Sequence, residues 1–117
     1  MKEIKVLKFE VGKKCYESVI EDSVEAIQEF VEGYFETIPI DNTHILICNE
    51  EGKIRDLARS ILLVGINSLQ IKDVIRGNCF ITKSRGANFT SLTKQDLKEL
   101  SKRISFEEMS GMSILLM

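Results

Sequence analysis

A short apolar run between two turn signals constrains the fold of this chain more than any other stretch. Five of the six residues from Thr43 to Cys48 are apolar or imidazole side chains, and six residues is a usual strand length. Asp41-Asn42 precedes the run and Asn49-Glu50-Glu51-Gly52 follows it, and residues of these types turn the backbone readily. A strand with no polar face is buried on both sides, so we predict a central strand of a sheet here.

The first twenty residues indicate a β-hairpin. Ile4 to Val11 places apolar side chains on both faces of a strand, as expected when both faces are covered. Gly12-Lys13-Lys14 is a short connection, and Cys15 to Ile20 is the predicted partner strand.

A helix is predicted from about Ser23 to Glu32, where apolar residues recur at helical spacing. Asp22 is expected to cap its first turn, and Gly33 to end it in a left-handed conformation. Its polar face carries four carboxylates without a basic residue between them: Asp22, Glu25, Glu29 and Glu32. Like charges at this spacing destabilise a helix by a few tenths of a kcal/mol, roughly. The pattern therefore indicates a docking surface for a basic partner protein, with a merely solvated face as the alternative.

The middle of the chain is less regular. Tyr34 to Ile40 is predicted as an edge strand, because Pro39 has no N–H to donate to a second neighbour. Lys53 to Val64 approximates helical spacing, although a strand that starts at Lys53-Ile54 fits equally well. Ile71 to Arg76 is predicted as a turn.

The last third contains a further strand and a helix. Gly77 to Thr82 is predicted as a strand, followed by a basic loop from Lys83 to Asn88. A final helix is expected to start at Ser91 or Thr93, with Asp96 in its first turn. This order of elements predicts an α+β fold: a mostly antiparallel sheet with two or three helices packed on one face.

Length limits the chain to one domain. Its 117 residues suffice for one hydrophobic core, which we place in residues 1–105. The apolar tail at residues 106–117 is then expected to pack on this domain or on a second copy, because an exposed tail would favour aggregation. A homodimer through the tail is therefore expected.

Composition excludes several functional classes. A net charge of −2 does not suit a surface dedicated to nucleic acid. The sequence contains neither a signal-peptide core nor an apolar run long enough to span a membrane, so the cytosol is the expected compartment. Cys15, Cys48 and Cys79 are widely spaced in apolar surroundings, which predicts buried reduced thiols and no metal site. No cofactor is expected.

Several short motifs occur in a characteristic order. They are Ile4-Lys5-Val6-Leu7-Lys8, Val31-x-Gly33-Tyr34-x-Glu36, Leu46-Ile47-Cys48-Asn49-Glu50-Glu51-Gly52, Gly77-x-x-Phe80 and Ser91-Leu92-Thr93. In this order the chain resembles a family of small domains of unknown function from phages and mobile elements of low-GC Gram-positive bacteria. The resemblance implies an α+β architecture and that genomic setting, and it implies no established activity. The chain departs from the family at Asp56 to Ile61, where members commonly carry Gly-Leu-Pro-x-Asn-Arg.

Common enzyme signatures are absent from the sequence. His44 is the single histidine, and acid–base chemistry would require Glu50 or Glu51 as its partner. Packing beside a buried strand is the commoner role for such a residue. A second set of candidates fits a nucleotide-like ligand: Tyr34, Asn49, Glu50 and Arg85.

Three functional hypotheses follow. The first is a non-catalytic phage or mobile-element accessory protein that binds a host protein, such as part of a defence system, through its acidic helix face. The second is a protein that binds or sequesters a nucleotide-type signal. The third is a small enzyme without a recognised signature.

Overall fold

The apolar residues of this chain build two β-sheets that pack against each other. The computed structural model describes residues 2–117, which contain ten strands and two helices. In chain order these are β1 (Glu3–Phe9), β2 (Tyr16–Glu21), α1 (Val24–Val31), β3 (Phe35–Pro39), β4 (His44–Asn49), β5 (Arg59–Val64), β6 (Ile71–Arg76), β7 (Cys79–Arg85), β8 (Asn88–Thr90), α2 (Lys94–Ser101), β9 (Ile104–Glu107) and β10 (Met112–Leu116). Within this range, neither helix has the length or the apolar character required to cross a membrane.

The two sheets differ in the number and order of their strands. The first has the strand order β2-β1-β7-β4-β3, with β8 added to β7, and the second has the order β6-β5-β10-β9. The pairings are antiparallel except for β10 with β5, which are parallel. The prediction of a mostly antiparallel α+β protein is therefore confirmed.

β4 is an interior strand buried on both faces, as its sequence predicts, although β7 rather than β4 is the middle strand of the sheet. It lies between β7 and β3, and Leu46 and Ile47 on its two faces have no exposed surface. β3 pairs only with β4, so the edge position predicted from Pro39 is also confirmed. The predicted hairpin of β1 and β2 forms, with Lys8 opposite Tyr16 at its turn end.

A separate hydrophobic core lies on each face of the first sheet. On one face, Ile27 of α1 packs with Ile4 and Phe80. On the other face, Leu46 packs in a core that includes residues of the second sheet and Leu100 of α2. The two helices thus belong to opposite faces, and the prediction that helices pack on one face is wrong. The second sheet occupies most of the surface that the predicted helices would have covered.

The helix suggested between Lys53 and Val64 does not form. Residues 50–56 make turns, and residues 59–64 form β5. The run Ile61-Leu62-Leu63-Val64 has no polar interruption, and a short continuous run of this kind suits a strand covered on both sides. Ile71 to Arg76 is likewise strand β6 rather than a turn, since it pairs along β5.

The C-terminal residues complete the second sheet of their own chain. β10 lies between β5 and β9, and Leu115 is fully buried. The N–H of Met117 donates to the carbonyl of Val64 at 2.9 Å, which extends the parallel pairing by one residue. Most of the apolar surface that suggested a dimer through this tail is therefore covered within one chain, while Met109 remains 97% exposed.

The ends of α1 differ from the predicted ones by one residue. Ser23 is the N-cap in place of Asp22, and its hydroxyl accepts a hydrogen bond from the N–H of Ala26 at 3.1 Å. Glu32 adopts the left-handed conformation expected of Gly33, with φ 65°. A serine at the position with extended backbone dihedrals satisfies the first free N–H groups as well as an aspartate does.

Position 33 requires glycine because a side chain there would collide with two neighbouring side chains. A Cβ atom at this position would lie 2.9 Å from both Asn49 Nδ2 and Arg55 Nη1. These two side chains donate to carbonyls at the end of α1, Asn49 to Val31 at 3.0 Å and Arg55 to Glu32 at 2.6 Å. The glycine therefore lets the turn after β4 satisfy the unpaired carbonyls of the helix.

Replacing Glu32 by glycine is expected to raise the free energy of unfolding by about 0.5–1 kcal/mol. Glycine adopts the left-handed conformation without a steric penalty, and this gain exceeds the added entropy of the unfolded chain. Urea denaturation measures the difference. Glu29→Gly, inside the same helix, is the matched control and should cost about 1 kcal/mol. A loss of stability in Glu32→Gly would contradict the assignment of Glu32 as the strained residue.

Candidate functional site

A chain of five ionisable side chains runs through the structure around His44, and we call it the His44 network. His44 is only 6% exposed. Its Nδ1 lies 2.8 and 2.9 Å from the two carboxylate oxygens of Asp41, and its Nε2 lies 2.9 Å from Asp96 Oδ1. Arg103 Nη1 is 2.9 Å from Asp41 Oδ2, and Lys83 Nζ is 3.2 Å from Asp96 Oδ2. The network therefore links β4, β7, the start of α2 and the segment before β9.

Local backbone motifs position the two carboxylates. Oδ1 of Asp41 accepts hydrogen bonds from the N–H groups of Thr43 at 2.9 Å and His44 at 2.8 Å. Oδ2 of Asp96 accepts from the N–H of Thr93 at 2.7 Å, and the Thr93 hydroxyl accepts from the N–H of Asp96. Of the two predicted caps, Ser91 and Thr93, the structure uses Thr93, in a reciprocal capping box with Asp96. Both carboxylates are thus fixed by their own segments.

The surrounding donors favour the ionised form of both carboxylates. Burial acts to raise the pKa of Asp41, but hydrogen bonds from backbone N–H groups, Arg103 and His44 outweigh it and hold the pKa well below its ordinary value. Burial also acts to raise the pKa of Asp96, and the capping hydrogen bonds with the contacts to His44 and Lys83 lower it in the same way. An ionised carboxylate only accepts hydrogen bonds, so Asp41 and Asp96 act as acceptors in this network.

This geometry ties the fold together and engages both ring nitrogens of His44. A general base needs a nitrogen lone pair that reaches the substrate, and both nitrogens of His44 face carboxylates. Glu50 and Glu51, the partners predicted for acid–base chemistry, follow the opposite end of β4. At about 3.3 Å per residue they lie roughly 20 Å away along the strand. The structure does not bring that set together.

The four predicted partner-binding carboxylates lie on and beside α1, and we call this surface the acidic face. Glu25, Glu29 and Glu32 are exposed, and Asp22 is partly exposed. Among residues 2–117, no cationic group lies within 4.0 Å of any of the four. The last turn of α1 contains no basic residue. The four carboxylates of the acidic face therefore form no direct ion pair, while Lys8 lines the same groove as Glu29 and Glu32 and Arg55 donates to the Glu32 carbonyl.

The structure brings together three of the four residues proposed for a nucleotide-like ligand. The N–H of Glu50 donates to the carbonyl of Tyr34 at 3.0 Å, and Tyr34 is 64% exposed. Asn49 is buried, and its amide group donates to carbonyls at the end of α1. Arg85 ends β7 on the side of the sheet where β4 begins, at the opposite end from the other three.

A polar cleft of about 240 Å³ lies where β4 of the first sheet faces β6 of the second. Lys53 and Asp73 form an ion pair across part of it, with 2.6 Å between Nζ and Oδ1. Cys48 also lines the cleft, and burial together with the nearby carboxylates of Glu36 and Asp73 raises the pKa of its thiol to about 12. A thiol in this state is a poor nucleophile.

The prediction that all three cysteines are buried thiols holds at two of the three positions. Cys48 and Cys79 are buried free thiols, as predicted, whereas Cys15 is only partly buried. Burial raises the pKa of the Cys79 thiol far above its ordinary value. Among the described residues, no group of three or more potential ligands is arranged to hold a metal ion.

Sequence reasoning did not identify the His44 network. Asp41 is three residues before His44 in a turn, and an aspartate in such a turn often accepts hydrogen bonds from the N–H groups that follow. That spacing is the one local signal that points to the pair. Asp96 is 52 residues from His44, so its contact depends on the tertiary fold.

Comparison with known proteins places these features in a family. Residues 4–105 match the family described as "Domain of unknown function (DUF3846)", and this range includes the His44 network and the acidic face. No curated protein and no solved structure matches the chain. Since the match spans well over half of the 117 residues, the chain belongs to the DUF3846 family.

Proposed function

We propose that this protein acts by binding a basic surface of another protein through the acidic face. One observation carries the proposal: four neighbouring carboxylates have no cationic partner within 4.0 Å among the described residues. A surface of this sign attracts a positively charged partner and accelerates its association. It repels the phosphates of nucleic acids, which favours a protein over a nucleic acid as the partner.

Apolar side chains beside the carboxylates support a protein interface. Tyr34, 64% exposed, follows Glu32 closely in sequence, and Val24 on α1 is 54% exposed. Binding energy at interfaces concentrates in aromatic side chains surrounded by polar groups, and tyrosine is among the residues most enriched there. The charges would then guide the approach, and the apolar contacts would hold the complex.

The motif resemblance to phage and mobile-element domains points to an infected bacterial cell as the place where this binding occurs. In the cytosol of an infected bacterium, the acidic face would occupy a basic surface that a host protein normally uses for nucleic acid. An inhibitor of a host defence system acts in this way if the surface it covers is the one the host protein needs. The His44 network stabilises the binding protein and takes no part in the contact.

Reversing two charges on the acidic face is expected to weaken partner binding by at least about tenfold. Glu25→Lys/Glu29→Lys removes two attractive charges and adds two repulsive ones, and each close charge pair contributes about 1.5 kcal/mol or more. The measurement is quantitative capture of host proteins from a lysate at low and high salt, followed by titration with the purified partner. Exposed charges lose their attraction as salt increases, so captured partners should be released.

The matched control is Glu17→Lys/Glu108→Lys, which changes the net charge equally at exposed positions outside the acidic face. This variant should bind the partner as the unmodified protein does. Equal loss in both variants would show a net-charge effect, and full binding by Glu25→Lys/Glu29→Lys would overturn the proposal. Circular dichroism of both variants establishes that they are folded.

A further inference from the structure

A basic groove lies beside the β7–β8 hairpin, away from the residues of the acidic face. It has a volume of about 260 Å³ and is lined by Thr43, Lys83, Ser84, Arg85 and Thr90. The lining thus contains two cations, three hydroxyl groups and no carboxylate. Cations and hydroxyl donors are the side chains that bind oxyanions.

Strand pairing assembles this groove from three segments. Lys83 on β7 lies opposite both His44 on β4 and Thr90 on β8. The N–H of Ser84 donates to the carbonyl of Thr43 at 2.9 Å, which holds the turn before β4 against the hairpin. Lys83 and Arg85 are two residues apart on one strand, so their side chains point to the same face.

The charge balance around the groove is positive. Three fixed cations, Lys83, Arg85 and Arg103, stand against two carboxylates, Asp41 and Asp96, before any charge on the imidazole is counted. Both carboxylates already contact cationic side chains. Arg85 is exposed, and among the described residues it has no carboxylate within 4.0 Å. Its guanidinium is the group available to an incoming anion.

We infer that this groove binds a small phosphate-bearing anion, with Arg85 as its principal ligand. A guanidinium donates two parallel hydrogen bonds to a phosphate, and the Lys83 ammonium, which also contacts Asp96 at 3.2 Å, lies on the same face of β7. Thr90 lies directly opposite Lys83 on the neighbouring strand, so its hydroxyl is on the same face as the two cations. The volume lies just below the range of about 300–1,000 Å³ usual for small-molecule pockets. It suits a phosphate or phosphate-monoester group better than a dinucleotide.

Titration of ¹⁵N-labelled protein with phosphate tests this inference. Inorganic phosphate and glycerol 3-phosphate, a simple monoester, are each added against sodium chloride at equal ionic strength. Saturable shifts of the amide signals of Thr43, Ser84 and Arg85 are expected with a phosphate compound and not with chloride. The compound that saturates at the lower concentration tells whether the natural ligand is the free ion or an ester.

Arg85→Gln should weaken phosphate binding by at least about tenfold, because it removes charge-assisted hydrogen bonds. The matched control is Arg59→Gln, which removes an exposed arginine at the start of β5 and should leave the affinity unchanged. The inference is overturned if no saturable shifts appear or if Arg85→Gln shifts as the unmodified protein does. Neither variant alters the acidic face, so this test is independent of the proposed partner binding.

Discussion

Replacing His44 by alanine is expected to lower the free energy of unfolding by about 3 kcal/mol. The substitution leaves the carboxylates of Asp41 and Asp96 without the partner that they share, and each buried group left without its hydrogen-bond partner costs about 1–3 kcal/mol, more when that group is charged. The cost at Asp41 lies at the lower end of this range, because its side chain is 33% exposed and water replaces part of the contact. Urea denaturation, with the midpoint and slope fitted separately, gives the change.

The control for this prediction breaks an exposed ion pair. Lys13 Nζ lies 3.8 Å from Glu10, and the Lys13 side chain is 68% exposed, so Lys13→Ala should cost less than about 1 kcal/mol. A similarly small cost for His44→Ala would show that the His44 network contributes little to the fold.

The same network predicts how stability depends on pH. The pKa values of Asp41 and Asp96 are lowered in the folded state, so the unfolded chain takes up protons first as the pH falls. The stabilisation is fully present above the ordinary aspartate pKa of about 3.9. It is lost as the pH falls below that value toward the folded-state pKa. Without His44 the folded-state pKa values lie closer to the ordinary ones, so His44→Ala should lose less stability between about pH 5 and pH 2. Equal losses in both proteins would contradict this.

Replacing Leu115 by alanine is expected to cost about 2–5 kcal/mol, the usual range for a large-to-small change in a core. Leu115 has no exposed surface and lies in the core that both sheets share. Chemical denaturation again measures the change. Met109→Ala is the matched control within residues 106–117, since Met109 is 97% exposed and its replacement should alter stability by less than about 0.5 kcal/mol. Equal effects at the two positions would contradict the interior placement of β10.

Local sequence patterns predict those strands in which the alternation of apolar residues matches the buried faces. β1 alternates between two buried faces, with Ile4 and Val6 in one core and Leu7 and Phe9 in the other. The start of α2 was predictable to Ser91 or Thr93, because a capping box lies within four consecutive residues and does not depend on distant contacts.

The rest of the fold depends on contacts between distant segments. The spacing of apolar residues before Val64 fits a helix as well as a strand, and only the pairing of β5 with β6 and β10 decides for the strand. The His44 network required the same information, since Asp96 reaches His44 across 52 residues. The sequence predicted each residue of the acidic face, because the 3.6-residue period of an α-helix determines which of its charged side chains are exposed. The sequence alone could not show whether these residues form ion pairs, because that depends on which other segments lie next to them in the folded chain.

The parallel pairing of β10 with β5 has a consequence for synthesis of the protein on the ribosome. β5 and β6 can form their hairpin as soon as both have emerged, but one edge of β5 then stays unpaired until Met112–Leu116 arrive. Unpaired strand edges on partly folded chains are sites of aggregation. Between translation of Val64 and of Leu116, this edge of β5 is therefore open to pairing with other unfolded chains.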